Sequence, residues 1–143
     1  MGGLDAAILA ERAARVRRHL RRVADRLPAE PAQLRPMSDA TDAVVLHLWQ
    51  ATQLVIDAAV SACVGLGLGS PPSYSDAFRR LAEHGVIDHA LAKRLPRAAG
   101  FRNVVVHAYA ETDLARLHQM ATEGPDDLLA FLAALRDQLA EAT

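Results

Sequence analysis

A single cysteine, Cys63, occurs in the 143 residues, so an internal disulfide is excluded and a thiolate metal site has no second ligand. Sitting in an apolar run, it is expected to be a small buried hydrophobe in a protein of the reducing cytoplasm. Aromatic residues are scarce as well, 4% against a hydrophobic fraction of 51%. The core must then be built from Ala, Leu and Val, a composition that suits closely packed helices better than a sheet. No apolar run of about eighteen residues is free of charge or of breaking residues, so no membrane span is expected. The start, Met1-Gly2-Gly3-Leu4-Asp5, has no basic segment leading into an apolar one, and no signal peptide is expected. Net charge is −1, which argues against a surface that binds nucleic acid indiscriminately. The length fits one domain over residues 1–143.

The charges that are present are unevenly spread. Residues 1–26 carry Arg12, Arg15, Arg17, Arg18, Arg21, Arg22 and Arg26 against Asp5, Glu11 and Asp25. Residues 79–102 are basic again, with Arg79, Arg80, Lys93, Arg94, Arg97 and Arg102 against Glu83 and Asp88. From residue 111 the sign reverses, with seven carboxylates facing Arg116 and Arg136. Such a split implies either a basic and an acidic face or simply solvated helix surface.

Apolar residues recur at helical spacing from Leu4 to Leu27, and arginines fill the gaps. Pro28, Pro31 and Pro36 break that helix and make a short linker. Ser38 or Asp39 can cap a second helix over 39–65, whose broad apolar stripe includes Leu48, Trp49, Val55 and Ile56. Its polar members His47 and Asp57 are expected to face solvent or to make simple hydrogen bonds, with Asp57 also a candidate support for a site. The run Gly65 to Pro72 is a loop; it lacks the Lys-Ser/Thr ending of a phosphate-binding loop and follows no strand. Ser73 caps a short helix to His84, with Phe78 and Leu81 inward, and Gly85 ends it. Asp88 caps the next helix, with a kink or restart near Pro96 and Gly100. A further helix restarts at Glu111 to Asp113 and reaches Glu123. Gly124-Pro125 then bends the chain into a last helix ending near Ala142. His19, His89 and His118 stand alone, without a partner at ligand spacing.

Against this background one stretch is chemically rich: Gly100-Phe101-Arg102-Asn103-Val104-Val105-Val106-His107-Ala108-Tyr109. On a helical wheel with Arg102 at zero, Tyr109 falls near −20°, Asn103 near 100° and His107 near 140° (roughly 100° per residue). Phe101, Val104, Val105 and Ala108 take the opposite arc. A helix over this stretch has one face for packing and one carrying Arg, Asn, His and Tyr, interrupted by Val106.

The pattern Arg-x4-His-x-Tyr, with its Gly-Phe-Arg-Asn lead-in, resembles the signature of the HEPN superfamily, specifically the HepT-like ribonuclease toxins of bacterial toxin–antitoxin pairs. The stretch from Pro72 to Asp88 is similar as well, and the likeness covers about residues 44–109. The first 40 residues match only in being helical and Arg-rich. The resemblance implies an all-α, HEPN-type antiparallel helical bundle with additional short helices, acting as a homodimer. It implies an endoribonuclease with Arg102 and His107 as catalytic residues; Asn103, about 40° from His107 on the wheel, is a candidate substrate-binding support that positions a phosphate or orients the imidazole. It also implies that Tyr109 is the residue adenylylated by a partner nucleotidyltransferase antitoxin. The expected partners are an RNA substrate, either transfer or messenger RNA, that antitoxin and a second copy of the chain. Neither a cofactor nor a metal is expected, and no membrane.

The residue chemistry is consistent with that implication. Metal-independent RNA cleavage must take a proton from the 2′-hydroxyl, neutralise a phosphorane-like transition state and return a proton to the leaving 5′-oxygen. Histidine suits both proton steps and the planar guanidinium suits the phosphate. One chain supplies one such set, and Arg102 and His107 do not share a stripe. A two-fold dimer with facing motif helices supplies two of each. The alternative is a HEPN-type subunit that binds without catalysis and serves a nucleotidyltransferase; its motif is expected to have lost Arg or His, and both are present here.

Overall fold

The computed structural model describes residues 4–100 and 111–141. Five α-helices account for most of them: α1 Ala6–Arg26, α2 Asp39–Gly65, α3 Tyr74–Glu83, α4 His89–Ala99 and α5 Glu111–Glu141. A 3-10 turn at Pro31–Gln33 interrupts the α1–α2 linker, and no strand occurs among the described residues. The all-α expectation holds.

Local chemistry sets the helix starts. Asp5 accepts the Ile8 amide at 2.8 Å, Ser38 the Thr41 amide at 3.2 Å, Ser73 the Asp76 amide at 3.1 Å and Asp88 the Leu91 amide at 2.6 Å. Each satisfies a donor that the first helical turn leaves open. Ser38, rather than Asp39, is therefore the cap of α2. After α3 the chain reverses through Gly85 at φ +82°, with Val86 N–H donating to Leu81 O at 2.9 Å. That left-handed step is what glycine takes at least cost.

The helices bury one continuous core. α1 contributes Leu9, Val16, Leu20 and Val23 and packs along α2 more extensively than any other pair of elements. Phe78 of α3 and Phe131 of α5 are fully buried and meet edge to face, with centroids 5.3 Å apart. Cys63 is buried, its thiol pointing to Ala77 O at 3.5 Å and its pKa pushed up by burial, as a small core hydrophobe should behave. α2 is long and apolar enough to cross a membrane by composition, but half of its most apolar window is covered inside the fold, as in a core helix.

Two expectations change. Gly124-Pro125 does not end a helix: α5 runs unbroken from Glu111 to Glu141. Buried Leu117 and Ala121 lie before the pair and buried Leu128, Phe131 and Leu132 after it, so a single core holds both halves within one helix despite the missing amide. Trp49 is not a full member of the α2 core stripe but is 37% exposed, beside Leu46 at 54%. Their stripe continues to Val64, 43% exposed, and gives α2 a second, outward apolar edge. The helix capped by Asp88 passes through Pro96 and stops at Ala99 with Gly100 as its C-cap, in keeping with the expected break near Pro96 and Gly100.

Candidate functional site

The residues singled out from the sequence, Arg102, Asn103, His107 and Tyr109, fall within Phe101–Ala110, outside the described residues. What the structure gives is the frame on either side. α4 is held by buried Leu91, Leu95, Ala98 and Ala99, and α5 by buried Leu114, Leu117 and Ala121; the two helices pack against each other. At the hand-over, Gly100 N–H donates to Pro96 O at 2.7 Å, and a Cβ on Gly100 would come within 2.9 Å of that same carbonyl oxygen. A side chain at Gly100 would force the last turn of α4 to shift.

Beside Gly100 lies a cleft of about 490 Å³ between α4 and α5. Its charged wall comprises Arg94, Arg97, Arg116, Glu123 and Asp127, and Tyr74 of α3 and Met120 complete it. Arg94 is spent locally, its Nε donating to Asp127 at 3.0 Å. Arg97 and Arg116 have no ion-pair partner among the described residues. Two open guanidiniums next to the start of the motif make this a place where phosphate oxygens can be held. Arg97 counted in the sequence only as part of a basic run, and Arg116 as a minority charge in an acidic one. Neither has a local pattern that marks it; packing of α4 on α5 brings them together.

The other candidates resolve differently. Asp57 is exposed and accepts from Gln53 Nε2 one turn earlier, at 2.9 Å. His118 is not isolated: it is buried on α5, and Nε2 donates to Pro28 O at 2.7 Å, tying α5 to the α1–α2 linker. His19 is not alone either. Its Nδ1 lies 3.0 Å from His47 Nδ1, so a proton on one ring is shared with the other. Both imidazoles have lowered pKa values, first through burial, then for His19 through His47, Arg15, Arg18 and Arg22, and for His47 through Arg22 and Arg26. The pair spans 28 residues of sequence, and no spacing rule reaches that far. Among the described residues no group of three His, Cys, Asp or Glu is placed to hold a metal ion.

Comparison with known proteins places this architecture. The family model described as "Ribonuclease HepT-like" matches residues 15–135, well beyond the stretch whose sequence resemblance is visible by eye. The chain belongs to the HepT-like ribonuclease family. It is 26% identical over 129 residues to a protein of Shewanella oneidensis described as mRNA nuclease HepT, covering 90% of this chain and 96% of that protein. A crystal structure of a mutant MntA–HepT toxin–antitoxin complex superposes with a TM-score of 0.81 at 25% identity, covering 92% of this chain and 98% of that one. A tri-AMPylated Shewanella oneidensis HEPN toxin in complex with its MNT antitoxin shares the fold, with a TM-score of 0.77 at 24% identity over 90% of this chain and 96% of that one. The helical bundle is thus of the HEPN type.

Proposed function

We propose that this chain is a metal-independent endoribonuclease toxin whose active site is completed by a second copy of itself. The observation that carries the reading is an intact Arg102-x4-His107-x-Tyr109 inside a family match that spans 15–135. In the composite site one His107 takes the 2′-hydroxyl proton as the O2′–P bond forms. The partner copy's equivalent histidine protonates the 5′-oxygen as the P–O5′ bond breaks. The Arg102 pair neutralises charge on the phosphorus oxygens, and Asn103 orients phosphate or imidazole. Arg97 and Arg116, open beside Gly100, extend the phosphate-holding surface toward the flanking nucleotide. The description of the Shewanella relative as an mRNA nuclease favours messenger RNA over transfer RNA as the substrate.

The homodimer has a supporting surface. Leu46, Trp49, Val60 and Val64 fall on one stripe of α2, with Gln53 and Asp57 between them, over about 27 Å at 1.5 Å per residue. Silencing is assigned to a nucleotidyltransferase antitoxin that adenylylates Tyr109, in line with an AMPylated, antitoxin-bound structural relative. Added phosphate and adenine would pair with the site's arginines and shut RNA out.

The test is induction of wild type beside His107→Ala, with total RNA examined in the cultures and cleavage repeated in vitro with chelator present. Wild type should arrest growth and break RNA with chelator present, and His107→Ala should lose about 10²–10⁴ in rate while keeping fold and dimer. Tyr109→Phe should still cleave but escape silencing by the antitoxin with ATP. A well-folded wild-type dimer that neither arrests growth nor cuts RNA would overturn the nuclease reading and leave the binding subunit.

A further inference from the structure

α1 and α2 enclose a second groove, of about 390 Å³, lined by Arg18, Arg21, Arg22, Arg26 and His47, with Ala43 at its side, and it shares no lining residue with the α4–α5 cleft. Asp25 is the one carboxylate in that lining. None of the seven arginines of α1 makes an ion pair among the described residues. Arg18, Arg22 and Arg26 follow one another at four-residue intervals, a straight row of guanidiniums rising about 6 Å per step. Like charges at that spacing repel and work against the helix that carries them. His47 already has its Nδ1 engaged by His19, and no other hydrogen bond to its ring occurs among the described residues. A row of uncompensated cations in a concave seam is therefore a site for an anion supplied from outside.

We propose that this α1–α2 groove binds the phosphodiester backbone of single-stranded RNA, as a phosphate track whose lining shares no residue with the α4–α5 cleft. The inference rests on the ribonuclease reading for its choice of polyanion. A linear row of arginine forks matches a linear run of phosphates, each fork able to take two oxygens. Binding through phosphates carries no base preference, so the groove contributes affinity and register and leaves the choice of scissile bond to the motif. An acidic protein surface is the competing occupant, and its charges would be carboxylates scattered over a face rather than strung along one strand.

The test measures anisotropy of a labelled 2′-O-methyl oligouridylate, which lacks the attacking hydroxyl and stays whole, against the wild-type protein over a range of salt. The variant is Arg18→Gln/Arg22→Gln/Arg26→Gln, with glutamines chosen because they keep helix propensity. Circular dichroism checks the fold of the triple variant. Its affinity should fall at least about tenfold near 0.1 M salt, and the slope of log K against log salt should shrink by about 2, three phosphates at roughly 0.7 each. Arg79→Gln/Arg136→Gln, which neutralises two paired surface arginines, should leave both quantities unchanged. Equal losses in the two variants would overturn the groove in favour of bulk charge. An unchanged slope in a folded triple variant would overturn it outright. Poly-glutamate competing as well as the oligonucleotide at matched charge would reassign it to an acidic polypeptide. Cleavage of unmodified RNA by the wild type, run in parallel, keeps failure of the groove distinct from failure of the nuclease.

Discussion

Arginine does opposite work in two helices of this protein. In α3, Arg79 pairs with Asp76 and, at 2.9 Å, with Glu83; Arg80 reaches Asp76 at 3.2 Å and donates to the Leu68 carbonyl at 2.8 Å. Those contacts close the α2–α3 loop onto the helix and leave the guanidiniums committed. In α1 the arginines are more numerous, and among the described residues none has an ion-pair partner. A side chain consumed by the frame says little about ligands. One left open beside other cations, at a cost to its own helix, points outward to what the protein meets. The α4–α5 cleft repeats the contrast on a smaller scale, with Arg94 committed to Asp127 and Arg97 and Arg116 open.

The heaviest way to break the framework side of that comparison is Phe78→Ala. The ring is fully buried, edge to face on Phe131 and 6.5 Å from Tyr74, whose side chain lines the cleft at Gly100. Removing it leaves a cavity where α3, α5 and the cleft wall meet, at a cost of about 3–5 kcal/mol. Urea unfolding should show the midpoint falling with the slope unchanged. A loss under about 1 kcal/mol would mean that α3 can collapse into the gap and is no fixed support for the cleft.

A smaller effect sharpens the comparison directly. Asp76→Ala removes the carboxylate that both α3 arginines share and that sits in the favourable first turn of the helix, so the melting temperature should drop modestly. Arg22→Gln removes a cation from a row of like charges, so its melting temperature should hold or rise. Differential scanning fluorimetry of both variants reads the contrast in sign. A fall on Arg22→Gln equal to that on Asp76→Ala would mean that α1's arginines are framework after all.

The helices and caps were legible because each is written locally: Asp5, Ser38, Ser73 and Asp88 precede apolar periodicity, and Gly85 follows it. The Arg102-x4-His107-x-Tyr109 pattern stands out for the same reason, as spacing along one segment, and it lies outside the described residues. What sequence reading could not reach was made by packing. The His19–His47 pair joins two helices, the Arg97–Arg116 cleft needs α4 laid on α5, and α5 continues as helix past Gly124-Pro125 because core contacts on both sides outweigh the local breaker. The outward set of Trp49 was hidden differently: α2 is apolar on more than one face, so periodicity alone could not say which face the bundle covers.

The smallest effect separates the two regions by pH. His19 and His47 have folded-state pKa values below the ordinary 6.5, because burial first, then His47 in the case of His19, and the surrounding arginines oppose the charged imidazolium. Their unfolded forms take protons first, so stability is unaffected above about pH 6.5 and declines as pH falls from there through the lower folded values. Asp76 is depressed below 3.8, chiefly by its hydrogen bond from Arg79, with burial opposing. Its contribution is present above that value and lost only as pH falls further. Melting curves from pH 7.5 to pH 3 should thus decline in two stages, the first belonging to the α1–α2 seam and the second to α3. His47→Gln should flatten the first stage and spare the second. If that first decline survives in His47→Gln and His19→Gln alike, the paired imidazoles are not the groups that couple this seam to protons.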